Sequence, residues 1–176
     1  MNITAGKFKG QKIVAPDANI TRPTLSKVRM SVFNTLQSMI DFENKSFLDM
    51  YCGSGIMGLE ALSRGFSKIR AVEKNKKAFF VAKNNYSKFE KNADIKLFLG
   101  DSLTICKKFD EKFDVIYIDP PYFEGIYEKS LQAIKNISAG IIILEHVKEV
   151  DLSGFEIIKQ KQYAEKYLTF LSVDIK

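Results

Sequence analysis

From Ser46 onward, short apolar runs alternate with longer stretches in which apolar residues recur at helical spacing. Ser46–Tyr51, Ile69–Glu73, Ile95–Leu99, Phe113–Ile118 and Gly140–Glu145 are the apolar runs. Runs that are apolar on both sides of the period-two alternation predict strands buried on both faces of a parallel sheet. Between them, Ile56–Arg64, Lys76–Phe89, Leu103–Lys107 and Tyr127–Lys135 predict helices, the first stopped by Gly65. The rhythm changes at the end. Phe155–Gln162 and Tyr167–Asp174 have only a short connection between them, which predicts an antiparallel hairpin. The fold class expected is α/β, a doubly wound and mostly parallel sheet with an antiparallel C-terminal hairpin.

The start of the chain follows another pattern. Ile3–Val14 alternates around Gly6 and Gly10 and reads as a small N-terminal β-hairpin. Pro16–Thr24 is a loop in which Pro23 pushes Arg22 into an extended conformation. Thr24 or Ser26 then caps a helix reaching about Met39, with Val28, Val32, Phe33, Leu36 and Met39 on one apolar face. Residues 1–176 are thus expected to form a single domain, with 1–40 an appendage and 41–176 the core.

Composition narrows the functional classes. A chain of 176 residues, 45% hydrophobic and 27% charged, has the balance of a globular domain and shows no repeat or low-complexity tract. The net charge of +6 is uneven: Lys7, Lys9, Lys12, Arg22, Lys27 and Arg29 face a single early acid, Asp17. Such clustering points to an anionic partner, nucleic acid above all, although lysines also decorate ordinary solvated faces. Two cysteines and one histidine supply neither a disulfide framework nor a zinc site, so no metal is expected. The N-terminus is too polar for a signal peptide, and the longest apolar run, Ile141–Leu144, is too short to span a bilayer. A reduced, soluble, cytoplasmic protein without membrane contact is expected, by default a monomer.

Gly53-Ser54-Gly55-Ile56-Met57-Gly58 follows a predicted strand and opens a helix. Glycines there let backbone approach a nucleoside cofactor at the carboxyl ends of parallel strands. Glu73, ending the next strand, is placed to accept hydrogen bonds from both ribose hydroxyls. The loop alone suits either a nicotinamide dinucleotide or S-adenosylmethionine (SAM). Asp49, just upstream of Gly53, favours SAM: a carboxylate repels a pyrophosphate but suits the cationic methionine end. Asp101, after the third strand, is placed for the adenine amino group, or serves simply as a helix cap.

Asp119-Pro120-Pro121-Tyr122 closes the strand Phe113–Ile118. Two prolines fix the backbone and remove two N–H donors. The Asp119 carboxylate and the Pro120 carbonyl then offer two acceptors for the two hydrogens of an exocyclic amine. The Tyr122 ring offers a stacking surface for a flat base. A delocalised amine is a poor nucleophile, and accepting both its hydrogens favours the pyramidal nitrogen of the transition state. A cytosine-carbon methyltransferase requires an activated cysteine, and neither Cys52 nor Cys106 lies in a loop suited to that role.

These motifs, in this order, resemble the amino-methylating class I SAM-dependent methyltransferases, with their Rossmann-like sheet. Ile3-Thr4-Ala5-Gly6-Lys7-Phe8-Lys9-Gly10, Arg22-Pro23-Thr24, Asp49-Met50-Tyr51-Cys52-Gly53-Ser54-Gly55 and Gly58-Leu59-Glu60-Ala61-Leu62-Ser63-Arg64-Gly65 look like the RsmD family. That family methylates the N2 amine of a guanine in small-subunit (16S) ribosomal RNA. The resemblance implies a seven-stranded sheet with a reversed last strand and SAM contacts from Asp49, Gly53, Gly55, Glu73, Asp101 and Ser102. It implies that Asp119, Pro120 and Tyr122 hold the guanine beside Pro121. The N-terminal hairpin and Arg22-Pro23-Thr24 would lie at the mouth of the site and meet RNA, in a free or 30S-assembled form. Arg29 and Arg64 are further candidates for phosphate contact; His146 is expected to be structural. The loop departs from the family in reading MYCGSG where FAGSG is common, and the tail after Asp174 is short. The rival readings are a DNA adenine-N6 methyltransferase, an NAD-binding oxidoreductase and a non-catalytic RNA-binding module.

Overall fold

Residues 1–17, 19, 24–89, 91, 93–147 and 149–173 are described by a computed structural model. Seven strands form one sheet: β1 (Ser46–Asp49), β2 (Lys68–Glu73), β3 (Asp94–Leu99), β4 (Phe113–Ile118), β5 (Ser138–His146), β6 (Phe155–Tyr163) and β7 (Lys166–Val173). The order is β3-β2-β1-β4-β5-β7-β6. The first five strands are parallel, and β7 pairs antiparallel with both β5 and β6. The helices are α1 (Ser26–Gln37), α2 (Ile56–Ser63), α3 (Lys76–Ser87), α4 (Ser102–Cys106) and α5 (Ile126–Ile134).

The period of two along each strand divides the core. Phe47, Val115, Tyr117, Ile141 and Ile143 point to one face, where they pack with residues of α1, α2 and α3. Their neighbours Leu48, Ile116, Ile118, Ile142 and Leu144 point to the other, against α4 and α5. Both faces of the central strands are therefore dry, which is why these runs lack polar alternation.

The N-terminal hairpin is a correction of detail. Its ladder shrinks to one antiparallel bridge, Asn2 to Lys12, around a tight turn. What holds it is tertiary: the Lys7 backbone N–H donates to the Ser63 carbonyl at 2.7 Å, and Ser63 Oγ donates to the Ala5 carbonyl at 2.6 Å. Gly6 makes this approach possible. It sits at φ +82°, and a Cβ there would stand 1.9 Å from the Ser63 oxygen. Gly6→Ala is expected to lower the Tm by at least about 3 °C, since strain and steric overlap act together. Thermal unfolding followed by circular dichroism checks this, and an unchanged Tm would contradict it.

The cap of α1 is also corrected. Leu25 occupies the N-cap without a side-chain bond, and Ser26 lies inside the helix. The Thr24 carbonyl accepts from Arg29 Nη1 at 2.6 Å, so a buried guanidinium fixes this entry instead.

Candidate active site

The parallel strands deliver their last residues to one edge of the sheet. Asp49 is in register with Ala71 and Tyr117, and Ile118 with Leu144. Asp49, Glu73, Asp119 and Glu145 therefore gather at the ends of β1, β2, β4 and β5. This is the crevice in which open α/β sheets bind ligands.

Asp49 is buried. Its Oδ1 accepts from the Tyr51 N–H at 3.4 Å, whereas Oδ2 has no hydrogen-bond partner among the described residues. Burial lifts its pKa to about 8, against the Tyr51 bond and with help from the negative charges of Asp119, Glu73 and Glu145. A buried carboxyl oxygen without a donor is costly, and a cationic ligand group relieves that cost.

Glu73 does structural work that the sequence did not suggest. Oε2 accepts from the Gly53 N–H at 2.9 Å and Oε1 from the Asn75 N–H at 2.7 Å. The carboxylate thus braces the glycine loop against the end of β2, with one lone pair on each oxygen left for a ribose hydroxyl. In the loop, Gly53 and Gly55 lie at φ +53° and +80°. A Cβ on Gly55 would come 2.6 Å from the Tyr86 ring, and one on Gly58 would come 2.2 Å from the Tyr86 hydroxyl oxygen. The last glycine thus serves close packing of α2 on α3 and β2, and the first two shape the loop.

Asp101 is the N-cap of α4: it accepts from Thr104 N–H at 3.3 Å and pairs with Lys74 at 3.2 Å. The simple helix-cap role is therefore present whatever else this residue does. Ser102 Oγ donates to the Met50 carbonyl, fastening α4 to the loop after β1. At the end of β4, Pro120 is buried, Pro121 is exposed, and Tyr122 and Phe123 are 53% and 67% exposed. Two large aromatic rings open to solvent beside a carboxylate form a landing surface for a planar ligand.

Lys166 and Glu145 are members of this edge that sequence reasoning missed. Lys166 Nζ lies 3.0 Å from Glu145 Oε2 and 3.6 Å from Asp119 Oδ1, and 6.0 Å from the Tyr122 ring centre. A signal was available. An antiparallel last strand starts where the parallel strands end, so the residues opening β7 must stand at the ligand edge.

Other candidates are relocated. Arg29 is only 3% exposed: it pairs with Glu60 at 3.2 Å and donates to the Thr24 and Asn2 carbonyls. The expectation that it meets RNA is corrected, because all of these bonds tie the N-terminal segment to α2. Arg64 joins the same cluster, 3.3 Å from the fully buried Glu60 and 2.9 Å from Thr4 Oγ1. Arg22 and Pro23 lie outside the described residues. Thr24 is partly exposed.

The hairpin divides between two ends of the molecule. Its stem touches the glycine loop, through Ser54 Oγ to Met1 Sδ and through Asn85, which donates to both the Val14 and Ser54 carbonyls. Its tip, with Lys7 and Lys9, rests at Ser63 and against Phe89, a helix length away from the loop. Only the stem is near the site. His146 is buried, bonded to Thr169 Oγ1 at 2.8 Å and stacked on Tyr167, a structural role as expected. Both thiols are buried; burial pushes Cys106 up to about 12 and Cys52 well above its ordinary value. Neither suits a nucleophilic role. Among the described residues no cluster suits a metal ion, and no helix is long and apolar enough to cross a membrane.

A family model described as "Conserved hypothetical protein 95" matches residues 1–172. YlbH of Bacillus subtilis, named as a proposed rRNA methyltransferase, is 33% identical over 159 residues, covering 86% of this chain and 85% of its own. Ribosomal RNA small subunit methyltransferase D of Buchnera aphidicola is 33% identical over 135 residues, covering 76% and 69%. Among solved structures, yhhF of Escherichia coli, named as a proposed methyltransferase, superposes with a TM-score of 0.87 at 19% identity, covering 100% of this chain and 99% of the other. That likeness establishes the fold.

Proposed function

Because the chain belongs to the conserved hypothetical protein 95 family, that of the RsmD ribosomal RNA methyltransferases, we propose that it methylates the exocyclic N2 amine of a guanine in 16S ribosomal RNA. The observation that carries this reading is the meeting, on one sheet edge, of a buried partnerless carboxyl oxygen and an Asp119-Pro120-Pro121-Tyr122 loop.

SAM, when bound, supplies an electrophilic methyl group on a sulfonium. The residues present fit it. Asp49 Oδ2 gains a donor from the ammonium of the methionine end, Glu73 keeps lone pairs for the ribose, and Gly53 and Gly55 leave room for the backbone approach. Asp101 and Ser102 border the adenine end. Asp119 and the Pro120 carbonyl accept the two amine hydrogens of the guanine, Pro121 holds the loop, and Tyr122 stacks on the base. Asp119 must be ionised to accept only; a protonated carboxyl would present an O–H to an N–H. Arg22, Pro23 and Thr24 are assigned to RNA contact on the likeness of the Arg22-Pro23-Thr24 segment to the RsmD family.

A guanine amine is hidden in a duplex and is reached when the base is extruded or single-stranded. A protein of this size leaves much of that presentation to its substrate, so an assembled or assembling 30S particle is the proposed acceptor. Transfer of labelled methyl from SAM to unmodified 30S particles should exceed transfer to free 16S RNA by roughly tenfold or more. Equal rates would refute the need for assembly; label in neither would refute the substrate.

A further inference from the structure

Three of the four carboxyl groups at the ligand edge are deeply buried, and Asp119 is half-buried. Among the described residues, Lys166 pairs with two of the four, Glu145 and Asp119. We propose that Lys166 is the positioning residue of the transfer site: anchored by Glu145, it holds the Asp119 carboxylate ionised and correctly turned toward the incoming amine. This rests on the reading of Asp119 as the amine acceptor.

The anchor is firm. Glu145 Oε2 takes Lys166 at 3.0 Å, and its other oxygen accepts the hydroxyl of the buried Tyr117. The contact with Asp119 is a 3.6 Å ion pair, and the shorter 3.0 Å bond to Glu145 keeps the ammonium in place. The hairpin turn before Lys166 is fixed as well: Ala164 adopts φ +53°, and the Tyr163 hydroxyl meets Ser31 Oγ of α1. Elements β4, β5 and α1 thus place this one ammonium. The same charge stands 6.0 Å from the Tyr122 ring centre, within range of a cation–π attraction that steadies the stacking surface.

The groups around Asp119 explain the need for it. Asp49 of β1, Tyr117 of β4, Tyr127 of α5 and Lys166 of β7 interact electrostatically with Asp119, and Glu145 of β5 and Tyr122 of the proline loop do so with Lys166. His146 is spoken for by Thr169 and Tyr167. A proton on Asp119 would convert an acceptor into a donor. Lys166 opposes this. Burial works against its own charge, but Asp119 and Glu145 outweigh burial and hold its pKa well above the ordinary lysine value.

The test compares Lys166→Met, Lys166→Arg and Asp119→Asn in the intact protein, with SAM and 30S particles as substrates. Lys166→Met should lower kcat roughly ten- to a hundredfold, the loss expected for one charge-assisted bond, with KM and SAM affinity within about twofold. Loss of the ammonium raises the Asp119 pKa, so the acid limb of the kcat profile should move to higher pH by about one unit. Lys166→Arg should recover most of the rate. Full activity and an unmoved acid limb in Lys166→Met would overturn the proposal, as would equal losses in Met and Arg variants. If Asp119→Asn is inactive while Lys166→Met is fully active, only the role of Lys166 fails; if both are fully active, the site reading itself fails. Should Lys166→Met not fold, titration of the Asp119 carboxyl carbon by NMR in the unsubstituted protein decides. A midpoint below the ordinary carboxylate value supports the role, and one at or above it overturns the role.

Discussion

Asp119→Ala is expected to reduce methyl transfer by about two to three orders of magnitude while leaving SAM affinity within about twofold. The reasoning is geometric. Asp119 follows β4 directly and precedes two prolines, so its backbone is fixed and its carboxylate stands at the ligand edge beside Tyr122. An amine whose lone pair is spread into a purine ring must pyramidalise to attack a methyl group, and the fixed acceptor is most valuable at that moment. Binding of base and cofactor is shared among many other groups, so the loss should fall on kcat. The side chain is partly exposed, and its removal costs little in packing. Single-turnover transfer together with SAM titration separates the two effects. A variant that keeps its rate would remove Asp119 from the chemistry, and one that loses SAM binding would place it in the cofactor pocket.

Asp49→Asn should weaken SAM binding by roughly ten- to a hundredfold, the loss of one charge-assisted bond, and yet stabilise the free protein in alkaline solution. The sign follows from its pKa of about 8, raised first by burial and then by neighbouring carboxylates. The folded chain keeps a proton that the unfolded chain releases near pH 4. Stability therefore falls as pH rises from about 4 to about 8 and levels off above. Asparagine does not titrate, so this component vanishes. At pH 9 the Asn variant should melt several degrees above the parent, and at pH 4 or below the two should nearly coincide. Saturating SAM should shrink the difference at pH 9, because the ligand cation compensates the buried charge of the parent. Equal melting temperatures at pH 9 without ligand would show that Asp49 is not held protonated. Such a trade of stability for binding marks a group retained for function.

Much of the fold was legible because both sides of the central sheet are dry. Phe113–Ile118 has the boundaries expected, and the other core strands and helices begin or end within a few residues of expectation. The antiparallel end followed from the short connection between β6 and β7. The hairpin was less legible, because its order comes from Ser63 and Glu60, which are remote in sequence. Arg29 was misjudged although the chain held the clue: it lies one helical turn before Val32 and Phe33, on the stripe that is buried. Counting charge read it as surface, whereas its spacing puts it on the buried face of the helix. Lys166 and Glu145 were invisible to motif reasoning, since no spacing links them to Asp119 until the reversed strand is placed beside β5. Glu73 and Asp101 were found for their reach toward a ligand, but their backbone bonds appear only in three dimensions.

The central claim, that this edge delivers a methyl group to a guanine amine, is tested most directly by identifying the methylated nucleoside. Unmodified 30S particles incubated with the protein and labelled SAM are digested and separated, with DNA treated in parallel. The account predicts label in N2-methylguanosine from 16S ribosomal RNA and none in DNA. Label in N6-methyladenine from DNA, or in a carbon-methylated base, would contradict it.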